Sequence, residues 1–245
     1  MKSFTPQREP KKVGWNFLEI IFFSAFIIWS AAGLVFTLGH FTPAAIAQWP
    51  ISDPLKAFVN LCLQWGDPAL ILLAFINTHL HAVRQWTSGV ARRWAVIILL
   101  CSYGIETFGT ITGLPFGSYH YTSDFGPMLG RVPLTIPLAW HVVVTNATFL
   151  VRAVAPHVSR LVEAGAVGLL CTIYDFILEP FATTVKHYWM WTGGSVPPLN
   201  YIAWFVLSAA LTFVFAPTLS TRLRWDLRPA VVIGLTIAIF LAGEF

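Results

Sequence analysis

Apolar residues fall in seven blocks, at roughly 15–38, 57–83, 94–113, 133–153, 161–183, 200–219 and 229–243, separated by short stretches rich in Arg, Lys, Pro or Gly. A helix needs about 20 apolar residues to cross the hydrocarbon core of a bilayer. The pattern therefore predicts an all-α fold, a polytopic membrane helix bundle of about seven transmembrane helices. The last block is short, and Gly66-Asp67-Pro68 interrupts the second. Asp followed by Pro is a common helix start, with Asp as N-cap and Pro at the first helical position. That reading begins the second span at Pro68 and carries it to about Trp86, after a short surface helix over 55–65.

Composition supports the membrane class. The chain is 56% hydrophobic and 11% charged, whereas a soluble domain carries about 25% charged residues. Its 20 Phe and 11 Trp suit lipid contact and interfacial belts. The blocks leave no room for an appended soluble domain, so 1–245 reads as a single integral-membrane domain with 1–14 as a basic cytoplasmic tail. The first block is much longer than the core of a signal peptide, about 7–15 residues, and reads as a retained span. Cys62, Cys101 and Cys171 stand singly, without CxxC spacing, and read as small buried hydrophobes.

Charge sets an orientation. With the N-terminus in the cytoplasm, twelve of the 15 Lys and Arg fall on the cytoplasmic side, and only Lys56, Arg131 and Lys186 fall outside. The net charge of +4 then reports topology and contact with anionic lipid headgroups, not nucleic acid. The expected location is the cell membrane, crossed several times.

Among the acids inside the apolar blocks, three stand out: Glu106, Asp175 and Glu179. An acid in hydrocarbon costs about 3 kcal/mol and favours its neutral form. The predicted topology brings all three, with Asp67, into the outer half of the membrane. Glu19 lies one turn from the cytoplasmic edge, and Glu163 sits in the first turn of its helix, where a carboxylate suits the macrodipole.

Asp175 and Glu179 are spaced i, i+4, which puts them on one helix face with Cβ atoms about 5–6 Å apart. Two carboxyls that close in a low dielectric do not both stay ionised, so one keeps a proton. Pro180 removes the hydrogen bond to the Phe176 carbonyl and bends or opens the helix. Open backbone at membrane depth survives where it lines a cavity or is buried in protein. The alternative is a hydrogen-bonded pair that only holds helices together. Glu106 lies beside Gly109-x-x-x-Gly113, a helix-packing pattern, and could likewise bond a neighbour. Residues 113–121 are dense in Gly, Pro and aromatics and suit a rigid turn folded over the bundle mouth, with Tyr119 and Tyr121 as donors or ring faces. His141, mid-span beside Trp140, is a further candidate contact.

Several classes are excluded. No lysine lies mid-span to form a retinal Schiff base, and no P-loop, GxSxG or nucleotide-binding fingerprint occurs. His79-x-His81 does not share a helix face, and the HxxxH and HxxHH boxes of membrane di-iron hydroxylases are absent. No metal-ligand spacing appears, so no metal or other cofactor is expected.

The two acidic motifs together resemble the membrane carotenoid-biosynthesis family that includes carotenoid 1,2-hydratase and bisanhydrobacterioruberin hydratase. The resembling stretches are Glu106-x-x-Gly109 with Pro115-Phe-Gly-x-Tyr-x-Tyr121, Tyr174-Asp-Phe-Ile-Leu-Glu-Pro-Phe-Ala182, Trp189-Met-Trp191, and Val196-Pro-Pro-Leu-Asn200 leading into Trp204. With the spacing of spans three to six they cover about half the chain. A pI near 9.1 departs from the acidic composition expected of haloarchaeal members. The resemblance implies a cofactor-free hydro-lyase adding water to the terminal C=C of an acyclic carotenoid (lycopene, γ-carotene or a C50 precursor) to give a tertiary alcohol.

That chemistry needs a neutral acid to protonate the alkene, an ionised acid to deprotonate water, and ring faces to shelter a tertiary cation. Asp175, Glu179 and Glu106 are the candidate catalytic residues. Phe116, Tyr119, Tyr121, Trp189, Trp191, His141 and Asn200 are the candidate substrate contacts. The alternatives are a carotene cyclase or isomerase using the same protonation, and a non-catalytic membrane protein that binds lipid or relays protons.

Overall fold

The computed structural model describes residues 16–218 and 226–244. The basic tail 1–14, and Arg222 and Arg224, which the charge pattern assigns to the cytoplasmic side, lie outside the described residues. Eight helices are present among those described: α1 (Phe17–Leu38), α2 (Pro43–Ala47), α3 (Asp53–Gln85), α4 (Ser88–Thr112), α5 (Thr135–Val154), α6 (Arg160–Pro180), α7 (Pro198–Phe215) and α8 (Arg228–Ala242). Six are long and apolar enough to span a bilayer; α8, at 15 residues, is apolar but shorter. The protein is a multi-pass membrane helix bundle.

α5 is the central helix. Most of its side chains are buried, and α3, α4, α6, α7 and α8 pack around it. α1 lies outside, against α3 and α8. Exposed Leu, Ile, Val and Phe cover the outer helices, as lipid contact requires.

α3 continues without a break through Gly66-Asp67-Pro68, where the sequence pattern predicts a new helix start. Pro68 has no N–H to donate to the Gln64 carbonyl, but a helix in lipid tolerates this where neighbours supply polar partners. Trp29 Nε1 of α1 donates to the Gly66 carbonyl at 2.8 Å. Asp67 does not cap; it pairs with Lys186 at 2.9 Å.

The Gly109/Gly113 pattern also has a different purpose from helix–helix packing. Gly113 is the left-handed C-cap of α4, with φ 75°. A Cβ on Gly109 would lie 2.9 Å from the Phe116 ring and 3.1 Å from the Tyr119 hydroxyl. The two glycines let the chain leave α4 and fold back tightly onto it.

At the other end of the bundle, Asn16 and Glu19 form a capping box for α1. Glu19 also meets Arg84 at 3.1 Å and Arg228 at 3.4 Å, and Arg228 meets Asp226 at 2.6 Å. These ion pairs tie α1, α3 and α8 together. Glu163 meets Arg152 at 2.6 Å and joins α5 to α6.

Candidate active site

Two loop segments close the end of the bundle where α4 and α6 finish. Tyr119–Tyr121 (β1) pairs antiparallel with Trp189–Trp191 (β2), with Tyr119 opposite Trp191 and Tyr121 opposite Trp189. Side chains alternate across a strand. Tyr119, Tyr121, Trp189 and Trp191 therefore face inward together, while His120 and Met190 face out and are exposed. α6 ends at Pro180 in a five-residue π-helical turn, Phe181–Val185, which carries the chain to β2. The helix opens where Pro180 withholds its hydrogen bond.

Beneath this ribbon lies a cavity of about 820 Å³ of empty space, counted out to its open mouth. Glu106, Asp175, Glu179, Phe116, Tyr119, Tyr121, Trp189, Trp191 and Asn200 all line it. Nine of the ten residues singled out in the sequence thus converge. His141 does not: it turns away from the cavity, against Phe75 at 4.9 Å and near His79 at 6.1 Å between ring centroids.

Each acid has its own set of donors. Glu106 Oε2 accepts from the Tyr119 hydroxyl at 2.5 Å and the Tyr121 hydroxyl at 2.8 Å, and Oε1 accepts from Trp140 Nε1 at 2.8 Å. Glu179 Oε2 accepts from Trp189 Nε1 at 3.1 Å and Trp191 Nε1 at 3.0 Å, and Oε1 accepts from Asn200 Nδ2 at 3.1 Å. Asp175 Oδ2 accepts from the same Asn200 nitrogen at 2.7 Å. All three carboxyls are buried. Burial, then the Glu106 carboxyl, pushes both phenols well above the usual tyrosine range, so Tyr119 and Tyr121 remain donors.

Of the wall residues that escaped the sequence reading, two carry a polar group on an aromatic ring. Trp140 of α5 holds Glu106 and stacks face to face on Trp204 of α7, at 3.9 Å and 4°. An indole N–H buried in a span needs an acceptor, and Glu106 is that acceptor. Tyr188 is the second: it lines the cavity and stacks on Phe125 at 4.2 Å. Among the described residues, no group of three His, Cys, Asp or Glu is placed to hold a metal ion.

The membrane bundle thus encloses three buried carboxyls under an aromatic roof, in a cavity whose walls are mostly apolar. The chain matches the model of the carotenoid biosynthesis protein family over residues 66–243 and belongs to that family. It is 32% identical to the bisanhydrobacterioruberin hydratase of Haloarcula japonica, over 74% of this chain and 62% of the relative. The chain thus spans less than two thirds of that relative's length. No solved structure matches it.

Proposed function

We propose that this protein is a carotenoid 1,2-hydratase acting, without a cofactor, on the terminal C=C of an acyclic carotenoid ψ-end group. The observation that supports this most is the Asp175–Asn200–Glu179 arrangement under four inward-facing aromatic rings. Glu106 and Glu179 each receive three hydrogen bonds. Such bonds stabilise a carboxylate. Asp175 receives one, from Asn200, so it is assigned the transferable proton.

In this mechanism the π pair of C1=C2 takes the Asp175 proton at C-2, and positive charge falls on the tertiary C-1. The faces of Trp189, Trp191 and Tyr121 stabilise that charge by about 1–2 kcal/mol each in a desolvated site. Water adds to C-1 and gives its proton to Glu179. That proton returns to Asp175, leaving the tertiary alcohol and the enzyme as it began. Glu106, held rigidly by three donors, anchors the aromatic roof and adds negative potential beside the cation. Asp67, at the half-buried rim, gives water a polar point of entry, which favours hydration over cyclisation.

The distribution of basic residues supports a cytoplasmic N-terminus, seven crossings including α8, and a cell-membrane location. The site then lies in the outer half of the membrane.

Expression in a lycopene-producing host, followed by mass analysis of extracted pigment, tests the activity. The expected product has gained one water at each modified end. A ring-closed product of unchanged mass would assign a cyclase, and unmodified lycopene would refute the proposal.

A further inference from the structure

We infer that a lateral groove between α1, α3 and α8 holds the polyene of the substrate while its terminal double bond occupies the acid cavity. The inference rests on the hydratase reading for the substrate's identity. The groove encloses about 1320 Å³ of empty space, counted out to its open side. It adjoins the acid cavity, and Asp67, Leu70 and Ile239 line both.

The chemistry of the walls fits a hydrocarbon rod. Trp29, Gly33 and Phe36 of α1 face Phe58 and Cys62 of α3 across it. Ala32 and Phe58 are exposed, so the groove opens on the lipid-facing surface. The ion pair of Asp67 with Lys186 stands at the junction and pins α3 to the π turn that follows Glu179, fixing the width of the passage.

The substrate needs such a passage. A conjugated carotenoid is a stiff rod about as long as the hydrocarbon core is thick, roughly 30 Å. It cannot fold into the acid cavity, so most of it must leave through a wall. The α1 wall also lies outside the family match, which begins at residue 66, whereas every acid of the site lies within it.

Filling the groove tests this. A Cβ on Gly66 meets nothing within 4 Å, and one on Gly33 meets only Ile239 Cδ1 at 3.7 Å, so both positions have room for a side chain to start, and Gly66→Phe and Gly33→Phe add a ring to the groove wall. Purified protein is titrated with lycopene, following the circular dichroism that a bound polyene acquires, and hydration of lycopene is compared with that of a short acyclic isoprenoid bearing the same terminus. Both variants are expected to lose the induced signal and to lower the lycopene-to-short-substrate ratio of kcat/KM by about tenfold or more. Equal binding of lycopene by wild type and variants, or binding by none of them, overturns the groove. Wild-type protein that binds lycopene but hydrates neither substrate refutes the hydratase reading, and the binding comparison still decides the groove.

Discussion

Asp175 and Glu179 share one hydrogen-bond donor: the Nδ2 of Asn200 lies 2.7 Å from Asp175 Oδ2 and 3.1 Å from Glu179 Oε1. The i, i+4 spacing on α6 puts the two carboxyls on one face, and Asn200, at the first turn of α7, bridges them. The remaining donors are unequal. Two indoles complete Glu179, while among the described residues Asn200 is the donor seen on Asp175, at Oδ2. That asymmetry lets two similar carboxyls take different roles.

Asp175→Asn and Glu179→Gln keep size and hydrogen bonding but remove the proton donor and acceptor. Each is expected to lower hydration about 10²–10⁴-fold, the usual contribution of general acid–base catalysis, with membrane insertion unchanged. Pigment analysis alongside immunoblotting of membranes reads both. Full product yield from both variants would move the proton source to Glu106 or Asp67.

Replacing Trp191 separates two roles of one side chain. Trp191→Phe keeps an aromatic face but deletes the N–H to Glu179; Trp191→Leu removes both. Losing one hydrogen bond to a charged group costs about 1.5–3 kcal/mol, so Trp191→Phe should lose about tenfold or more in kcat/KM, and Trp191→Leu more. Equal activity for the Phe variant and wild type would show that the indole N–H is dispensable.

Gly109→Ala raises helix propensity, yet it forces the Phe116 ring and the Tyr119 hydroxyl away from α4. It is expected to reduce hydration about tenfold, with helix content intact by circular dichroism. Tyr119→Phe, which removes the bond to Glu106 without the clash, should cost less.

Asp226 tests the far end of the bundle. Burial alone would raise its carboxyl, but His81 and Arg228 beside it hold it well below the ordinary range. A depressed folded-state value stabilises above the unfolded value, about pH 4, and that stability is lost as pH falls through the lower folded value. Thermal unfolding in detergent should therefore show no loss from this group between about pH 5 and 8. Asp226→Asn, which leaves Arg228 with fewer anionic partners, should destabilise by about 3 kcal/mol.

Orientation has its own measurement. Reporter fusions after Arg92 and after Asp124 should report opposite sides of the membrane, with Arg92 cytoplasmic. The same side for both would refute the assigned topology.

The bundle and its acids are legible in the sequence because hydrocarbon forces both: long apolar runs must be helices, and an embedded Glu or Asp is costly enough to stand out. The ribbon is not legible. Tyr119–Tyr121 and Trp189–Trp191 are three residues each, too short for a period to register, and their pairing spans some seventy intervening positions. Trp140 was hidden for another reason. In a span rich in aromatics, nothing distinguishes the indole that meets a carboxyl from one that meets lipid until α4 and α5 are set side by side. Local rules misread Asp67-Pro68 and Gly109/Gly113 because the deciding partners, Trp29, Lys186 and Phe116, come from elsewhere in the chain.

The two-stranded ribbon makes the site depend on parity. Inserting or deleting one residue in the approach to either strand would turn Tyr119 and Tyr121, or Trp189 and Trp191, outward, and bring His120 or Met190 in. An insertion of two would restore the facing. The outward positions carry no such constraint, so a label at His120 or Met190 can follow the roof without touching the acids. The same parity offers a way to silence the site while leaving every one of its side chains in the sequence.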